Sequence, residues 1–331
     1  MSENVLVTGA TGFLGQHLVR ALVAEGAGVR GLSRSAAGDA VIAALGGQPV
    51  RGHLGDPEAL AAAVAGAAAV FHTAADTSTW APGDAAQTET NVGGTQRLLA
   101  AARAAGVGCF VHTSSVSSYS HLVHETLRED VRQRGDDSWI NYERTKLAGE
   151  RAVRGSGLPH LVFQPSHILG PGDRQNWSRL FRLIDQRRLP MAPPGSGAFA
   201  DVREVARAQV RGWRRGLRSE AFLLGGDHAT FVALLAEAGR QLDRPAPARP
   251  APAWLLAAFA RVVDGVSRIT RRAPDITPAG AVFTSHHLRV DSGKAERLLD
   301  YRATPLPVLV ADTIAWLRAE GLVAPQRVGS P

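Results

Sequence analysis

Tyr142 and Lys146 stand four residues apart in residues 141–152, a stretch that reads as a helix. That spacing puts both side chains on one helix face. An ammonium held there can lie near the phenol and lower its pKa from about 10 toward working pH. A phenol tuned in this way exchanges a proton with a carbonyl/alcohol pair. The chain has three tyrosines, and Lys146 and Lys294 are its only lysines. Chance placement of a Tyr-x-x-x-Lys in such a chain is about 2%. The bland alternative is an exposed aromatic beside a surface lysine.

A second signal lies at the start of the chain, where residues 4–15 read N-V-L-V-T-G-A-T-G-F-L-G. Val5, Leu6 and Val7 form a short apolar run suited to a buried parallel strand. Gly9, Gly12 and Gly15 follow, and then Leu14, Leu18, Ala21 and Leu22 fall on one helix face, with Gly26 as the stop. Strand, glycine turn and helix in that order present free helix N–H groups to a pyrophosphate. The G-x-x-G-x-x-G spacing could also be an ordinary tight turn between strand and helix. The second strand, Gly28–Ser33, ends where such a fold meets the adenosine ribose. Ser33 stands there in place of a carboxylate, and Arg34 follows. That charge pattern favours NADP over NAD, with NAD(H) as the second choice.

The elements that must position these residues alternate. Strands are expected at residues 48–52, 69–73, 109–115 and 161–164, with helices between them. Asp56-Pro57 reads as the cap and first position of one helix. Residues 91–95 interrupt another. Alternation at this pace argues for an α/β fold with a doubly wound parallel sheet and a smaller, mostly helical C-terminal region. Residues 1–172 are expected to hold the dinucleotide, with 199–226 returning to that sheet. Residues 173–198 and 227–322 are expected to form the substrate region, and 323–331 a flexible tail. Residues 254–269 read as an amphipathic helix, expected to pack over a pocket or core in preference to docking on a membrane. His121 and His124 lack the neighbouring ligands of a metal site, and no metal is expected.

The bulk properties fit that frame. The chain has 331 residues, 45% hydrophobic and 20% charged, within the soluble globular range. No apolar run reaches the length of a membrane span, and the first strand leaves no room for a signal peptide. The single cysteine, Cys109, fits a reducing cytoplasm and a buried structural thiol. The net charge of +7 could suggest nucleic acid. Nearly all the basic residues are arginines, however, in a chain rich in alanine and glycine, so the charge reads as a composition bias. The series Arg203, Arg207, Arg211, Arg214, Arg215 and Arg218 reads as a solvated helix face, and no nucleic-acid partner is expected.

These motifs resemble the extended short-chain dehydrogenase/reductase family, over about residues 4–322. The family's T-G-x-x-G-x-x-G is matched from Thr8 through Gly9, Thr11, Gly12, Phe13 and Leu14 to Gly15. Its small pair after strand four is matched by Ala74-Ala75, following Thr73. Its N-x-x-G-T is matched by Asn91, Gly94 and Thr95, and its G-P-G-D by residues 170–173. Ser115, Tyr142 and Lys146 fit its catalytic posts. Ser115 is preferred to Thr113 and Ser114 because Tyr119 lies four residues on, as in the family's S-x-x-V-Y-G. The resemblance places Pro165, Ser166 and His167 beside the cofactor as well. His53-Leu54 stands where the family often has Asp-Leu near the adenine, and Gln164-Pro165 where Arg-Pro is common.

Within the family, the T-D-E of nucleotide-sugar dehydratases is absent, and His167 replaces an asparagine frequent in sugar epimerases. The Q-P-S turn, the Trp254 helix and the D-S-x-K-A-x-x-L-L-x-Y of residues 291–301 resemble the dihydroflavonol-reductase and 3β-hydroxysteroid-dehydrogenase branch. The resemblance therefore implies an NADP(H)-dependent reductase or dehydrogenase of a bulky, largely apolar ketone or alcohol. Ser115 would bind the carbonyl oxygen, Tyr142 would act as acid/base, and Lys146 would hold the nicotinamide ribose. It also implies a homodimer through the helices after strands four and five. A nucleotide-sugar epimerase is the alternative, and a non-catalytic dinucleotide-sensing or RNA-binding protein a third reading.

Overall fold

The apolar run at the N-terminus becomes strand β1 (Asn4–Thr8), and the glycine turn delivers it into helix α1 (Phe13–Ala24). The alternation continues through β2 (Gly28–Ser33), α2 (Ala36–Ala44), β3 (Gln48–Arg51), α3 (Pro57–Val64) and β4 (Ala69–His72). The structure is a computed structural model and describes residues 3–120, 122 and 126–325. His121, His124 and residues 326–331 lie outside the described residues. The Asp56 carboxylate accepts from Ala59 N and Pro57 opens α3, as the Asp-Pro pair predicts.

The interruption at residues 91–95 is a π-helical turn, Glu89–Gly93, joining α4 (Asp84–Thr88) to α5 (Gly94–Ala104). After β5 (Cys109–Thr113) come a two-residue β6 (Thr126–Leu127), α6 (Asn141–Arg154) and β7 (His160–Pro165). Then follow β8 (His167–Leu169), α7 (Ser178–Asp185), β9 (Ser196–Asp201), α8 (Val202–Arg214) and β10 (Glu220–Leu224).

Seven strands form one parallel sheet in the order β10-β7-β5-β4-β1-β2-β3. The chain winds outward from β1 through β2 to β3, then crosses to β4 on the other side of β1. That reversal opens a crevice at the carboxyl ends of β1 and β4, where ligands of such sheets bind. Successive residues of each strand feed opposite layers. Val5, Val7, Phe71, Val111 and Phe163 pack with α1 and α8, while Leu6, Val70, Phe110 and Val162 pack with residues of α3, α5 and α6.

The expected return of residues 199–226 to this sheet holds for β10, and α8 packs on α1. It does not hold for β9, which lies between β8 and β11 (Asp227–Thr230) in a second, three-stranded sheet. The side chains of β9 serve both regions: Ala200 joins the first core, while Phe199 packs with Phe181, Phe231 and Leu309 in a second one. The remaining elements are α9 (Phe231–Leu242), α10 (Ala253–Thr270), α11 (Pro278–Ser285), β12 (Arg289–Val290), α12 (Gly293–Leu299) and α13 (Leu306–Ala319). β12 pairs with β6.

One expectation holds only in part. α10 packs on α11, but Trp254, Leu255, Phe259, Val262, Val266 and Ile269 are exposed, and its buried positions are Ala260, Asp264 and Ser267. Small and polar residues share the internal contact with the half-buried Leu256 and Val263, so most of the apolar pattern marks the solvent side.

Candidate active site

The glycine turn is built by close approach. Gly9 has φ +69°, and a Cβ there would stand 2.7 Å from Ala74 N and 2.8 Å from Thr73 Oγ1. The turn and the end of β4 therefore touch across the crevice. Thr73 Oγ1 donates to Thr8 O at 2.8 Å, and Ala74 N donates to Thr8 Oγ1 at 3.4 Å. Gly12 caps α1 with no side-chain cap bond, and the first turn carries no acidic residue. Thr11 and Gly12 are exposed. This N-terminus leaves its N–H groups and its positive dipole end for an anion, so the turn fits a pyrophosphate.

Gly15 sits where α1 crosses the turn, and a Cβ there would fall 2.0 Å from Gly9 O. Gly15→Ala should lower stability by about 2–3 kcal/mol and weaken dinucleotide binding, because backbone must move to admit the methyl. Unfolding midpoint and dinucleotide titration read the two effects, and a wild-type midpoint would refute the close packing. Phe13 is half-buried beside His17, whose Nε2 meets Pro171 O at 2.7 Å. That bond ties α1 to the turn at residues 170–173.

At the ribose end, Ser33 is buried and donates to Ser35 O at 3.0 Å, while Arg34 is exposed. The structure adds a carboxylate that the strand tip lacks. Asp39 on α2 pairs with Arg51, which holds its carboxyl below the usual range, and the nearby Ser33 acts in the same direction. Arg51 pairs in register with Ser33. The group thus carries two guanidiniums and one carboxylate. His53 is exposed and accepts from Gly55 N at 3.1 Å, and Leu54 packs under Gly94.

The candidate catalytic residues converge beyond β5. Its last residue and the two that follow carry hydroxyls, and each has a different partner. Thr113 Oγ1 donates to Gln209 at 3.3 Å, Ser114 Oγ donates to Glu150 at 2.7 Å, and the Ser115 hydroxyl lies near enough to the Tyr142 phenol to lower its pKa. Ser115 Oγ also accepts from Ser117 N at 3.1 Å, which fixes its direction. Lys146 is buried and donates to Thr113 O at 2.7 Å.

The electrostatics differ from the sequence expectation. Burial raises the Tyr142 phenol above its usual pKa, the Ser115 hydroxyl partly offsets this, and nearby Asp76 raises it further. The ammonium lies on the expected helix face but spends a hydrogen bond on the Thr113 carbonyl. Burial pulls Lys146 itself down to about 8, against the opposing pull of Glu150.

Several residues escaped the sequence reading. Glu150 continues the Tyr142–Lys146 face by four more residues, a spacing that could have marked it. It is fully buried and accepts from Ser114, Gln133, Arg154 and both ways from Gln164. Gln164, standing where arginine is common, thus serves the same carboxylate that Arg154 neutralises. Phe283 on α11 stands 6.2 Å from the Tyr142 ring in an edge contact, and no local pattern announces it. Asn91, inside the π-turn, holds Asp76 by two bonds of 2.8 and 2.9 Å and so fixes the loop after Ala74-Ala75.

Pro165 is buried at the end of β7, and Ser166 N donates to Leu224 O at 3.0 Å. The ring of His167 is caged by Trp177, Phe199 and Phe231, with Gly197 against its Nδ1, so that side chain packs in the second core. Cys109 is buried, and burial pushes its thiol up to about 11, which leaves it inert. The arginine series on and after α8 is committed to internal partners: Arg203 to Asp201 and Asp312, Arg207 to Glu204, Arg214 to Glu3 and Arg215 to Asp300. Arg211 and Arg218 donate to backbone carbonyls.

Residues 5–241 match the model of the NAD dependent epimerase/dehydratase family. The chain is 31% identical over 330 residues to "Sterol demethylase protein B" of Methylococcus capsulatus, covering 97% of this chain and 100% of that protein. It is 28% identical over 344 residues to a "Putative dihydroflavonol 4-reductase" of Synechocystis sp., covering 98% of each. Its fold superposes with a TM-score of 0.76 on UDP-glucuronic acid 4-epimerase from Bacillus cereus, solved with UDP-glucuronic acid and NAD; that pair is 19% identical over 96% of this chain and 99% of the other.

Proposed function

The chain belongs to the NAD dependent epimerase/dehydratase family, in the extended short-chain dehydrogenase/reductase group, and from that premise we propose that it is an NADP(H)-dependent oxidoreductase interconverting a bulky, largely apolar ketone and its secondary alcohol. The observation that carries this is the Tyr142 phenol with the Ser115 hydroxyl near enough to lower its pKa and the buried Lys146 one turn along the same helix. Residues 1–172 with 202–224 would hold the dinucleotide, and 173–198 with 227–322 would form most of the substrate side.

The glycine turn would take the pyrophosphate on the N–H groups of α1, and Thr73, Ala74 and Ala75 would leave room for the flat rings beyond it. When bound, the nicotinamide supplies or accepts the hydride. Ser115 Oγ would orient the substrate oxygen against the phenol. Tyr142 Oη would give that oxygen its proton, and the raised phenol keeps that proton in place at neutral pH. Lys146, charged below about 8, would offset the negative charge left on the phenolate and hold ribose hydroxyls. Phe283 would present an apolar ring to the substrate. The names of the two relatives, one for sterols and one for a flavonoid alcohol, support a bulky apolar ligand.

The NADP preference rests on net charge. Arg34 and Arg51 against Asp39 leave one positive charge beside the ribose. Arg34→Ala should narrow the preference for NADPH over NADH by about tenfold. An unchanged ratio would remove Arg34 from the assignment. The reaction itself is tested by NADPH and NADH oxidation with a panel of aromatic, alicyclic and steroid ketones. Turnover faster with NADPH is the expected result. Saturable cofactor binding with no consumption, together with saturable binding of a nucleotide sugar, would overturn it in favour of an epimerase.

A further inference from the structure

We propose that the outer face of α10 is a docking surface for an anionic lipid bilayer. The helix is turned inside out. Trp254, Phe259, Val262, Val266 and Ile269 are 72%, 57%, 67%, 55% and 85% exposed, and Leu255 is exposed between them. At 100° per residue, Leu255, Phe259, Val262, Val266 and Ile269 fall within one continuous arc, opposite the buried Ala260, Asp264 and Ser267. Single exposed apolar residues need no explanation, but a continuous apolar face does. The helix has 18 residues and so runs about 27 Å along the surface. It is too short of apolar residues to cross a bilayer, and among the described residues no helix meets that requirement.

Charge selects the occupant. Between residues 249 and 272 the chain carries Arg249, Arg261, Arg268, Arg271 and Arg272 against one acid, Asp264. Asp264 is buried and paired with Arg268. Arg249, Arg261, Arg271 and Arg272 are exposed, in contrast to the internally paired arginines of α8. An apolar face edged by arginine, with a tryptophan at one end, matches an amphipathic helix lying in the plane of anionic headgroups. A second copy of the chain is disfavoured, because pairing two such faces would bring like-charged edges together.

The surface lies one layer from the candidate active site. Trp80, in the loop after β4, donates from Nε1 to Ser267 Oγ at 3.0 Å, and Thr79 Oγ1 bonds Thr277 Oγ1 at 2.6 Å. α11 packs on α10 and carries Phe283 to the Tyr142 ring. Docking would therefore set the substrate side of Tyr142 next to the lipid surface. That consequence rests on the proposed function, whereas the binding itself does not.

The test is flotation of the full chain with vesicles of phosphatidylcholine alone or with about one third phosphatidylglycerol, at low and high salt. Binding to the anionic vesicles, weakened by salt, is expected. Val262→Glu with Ile269→Glu should reduce it by at least about tenfold. Arg261→Gln, Arg271→Gln and Arg272→Gln together should reduce it by about a hundredfold. All these positions are exposed, so unfolding midpoints should stay near wild type. No binding to anionic vesicles, or binding indifferent to the two glutamates, would overturn the proposal. So would a dimer that the glutamates dissociate in a protein that never floats. Vesicle binding by a protein that turns over no ketone would leave this surface standing and reject only the assigned reaction.

Discussion

Replacing Tyr142 with phenylalanine is expected to lower turnover by about a thousandfold while leaving dinucleotide affinity nearly unchanged. The substitution removes one oxygen. It keeps the ring that meets Phe283 edge-on, and it leaves Lys146 on the Thr113 carbonyl and the glycine turn untouched. The Ser115 hydroxyl keeps the Ser117 N–H that orients it. Loss confined to kcat, with dinucleotide titration as in wild type, would assign the proton to Oη. Turnover near the wild-type rate would remove Tyr142 from the chemistry and leave it a packing residue.

The second large effect is on stability in mild acid. His72 and His112 lie side by side under Lys146, with ring centroids 5.4 Å apart. His72 is held between Thr8 Oγ1 and Thr95 Oγ1 at 2.7 and 2.9 Å, while neither ring nitrogen of His112 has a hydrogen-bond partner among the described residues. Burial, reinforced by the Lys146 charge, lowers His72 to about 3 and His112 well below 6.5. Above pH 6.5 both rings are neutral in the folded and unfolded chain alike, and stability is at its full value. As pH falls below 6.5 the unfolded chain takes up protons that the fold refuses, so stability drops until the folded pKa values are reached. The slope is about 1.4 kcal/mol per pH unit for a ring that stays neutral in the fold, or about 2.7 kcal/mol at pH 4.5 from His72 alone, to which His112 adds in the same direction. That is a large fraction of the whole stability of many domains. Urea midpoints between pH 7.5 and 4.5 measure it, and His112→Leu should make the slope shallower. A flat profile would mean that the fold admits the protons.

Much of this arrangement is legible in local pattern. The strand-turn-helix at Gly9–Gly15, the Asp56-Pro57 cap and the Tyr142–Lys146 face each depend on residues within a turn or two of one another, and each takes the expected form. The break at residues 91–95 was legible as a break, although its π geometry depends on Asn91 reaching Asp76. What local pattern misses is decided by partners far along the chain. Asp39 returns a carboxylate to the ribose end because α2 folds back over Ser33. Phe283 reaches Tyr142 from 141 residues away. The pKa of the phenol follows burial, the Ser115 hydroxyl and Asp76, none of which spacing encodes. α10 is the plainest case: an amphipathic pattern establishes that a helix has two faces, and only the packing of Ala260, Asp264 and Ser267 reveals which one is inside.

The placement of α8 and β10 bears on how this protein can be recombined. Residues 202–224 follow the first excursion of the chain, yet α8 covers α1 and β10 pairs with the β7 edge of the central sheet. A fragment ending after Asp173 would leave that edge and the outer side of α1 bare, inviting strand-to-strand aggregation. Specificity could be transplanted from a relative by exchanging the segments around residues 174–195 and 244–286, provided the 202–224 hairpin of helix and strand stays with its parent. The catalytic half is sewn shut from within the substrate half, so the two can diverge in sequence while remaining one unit of inheritance.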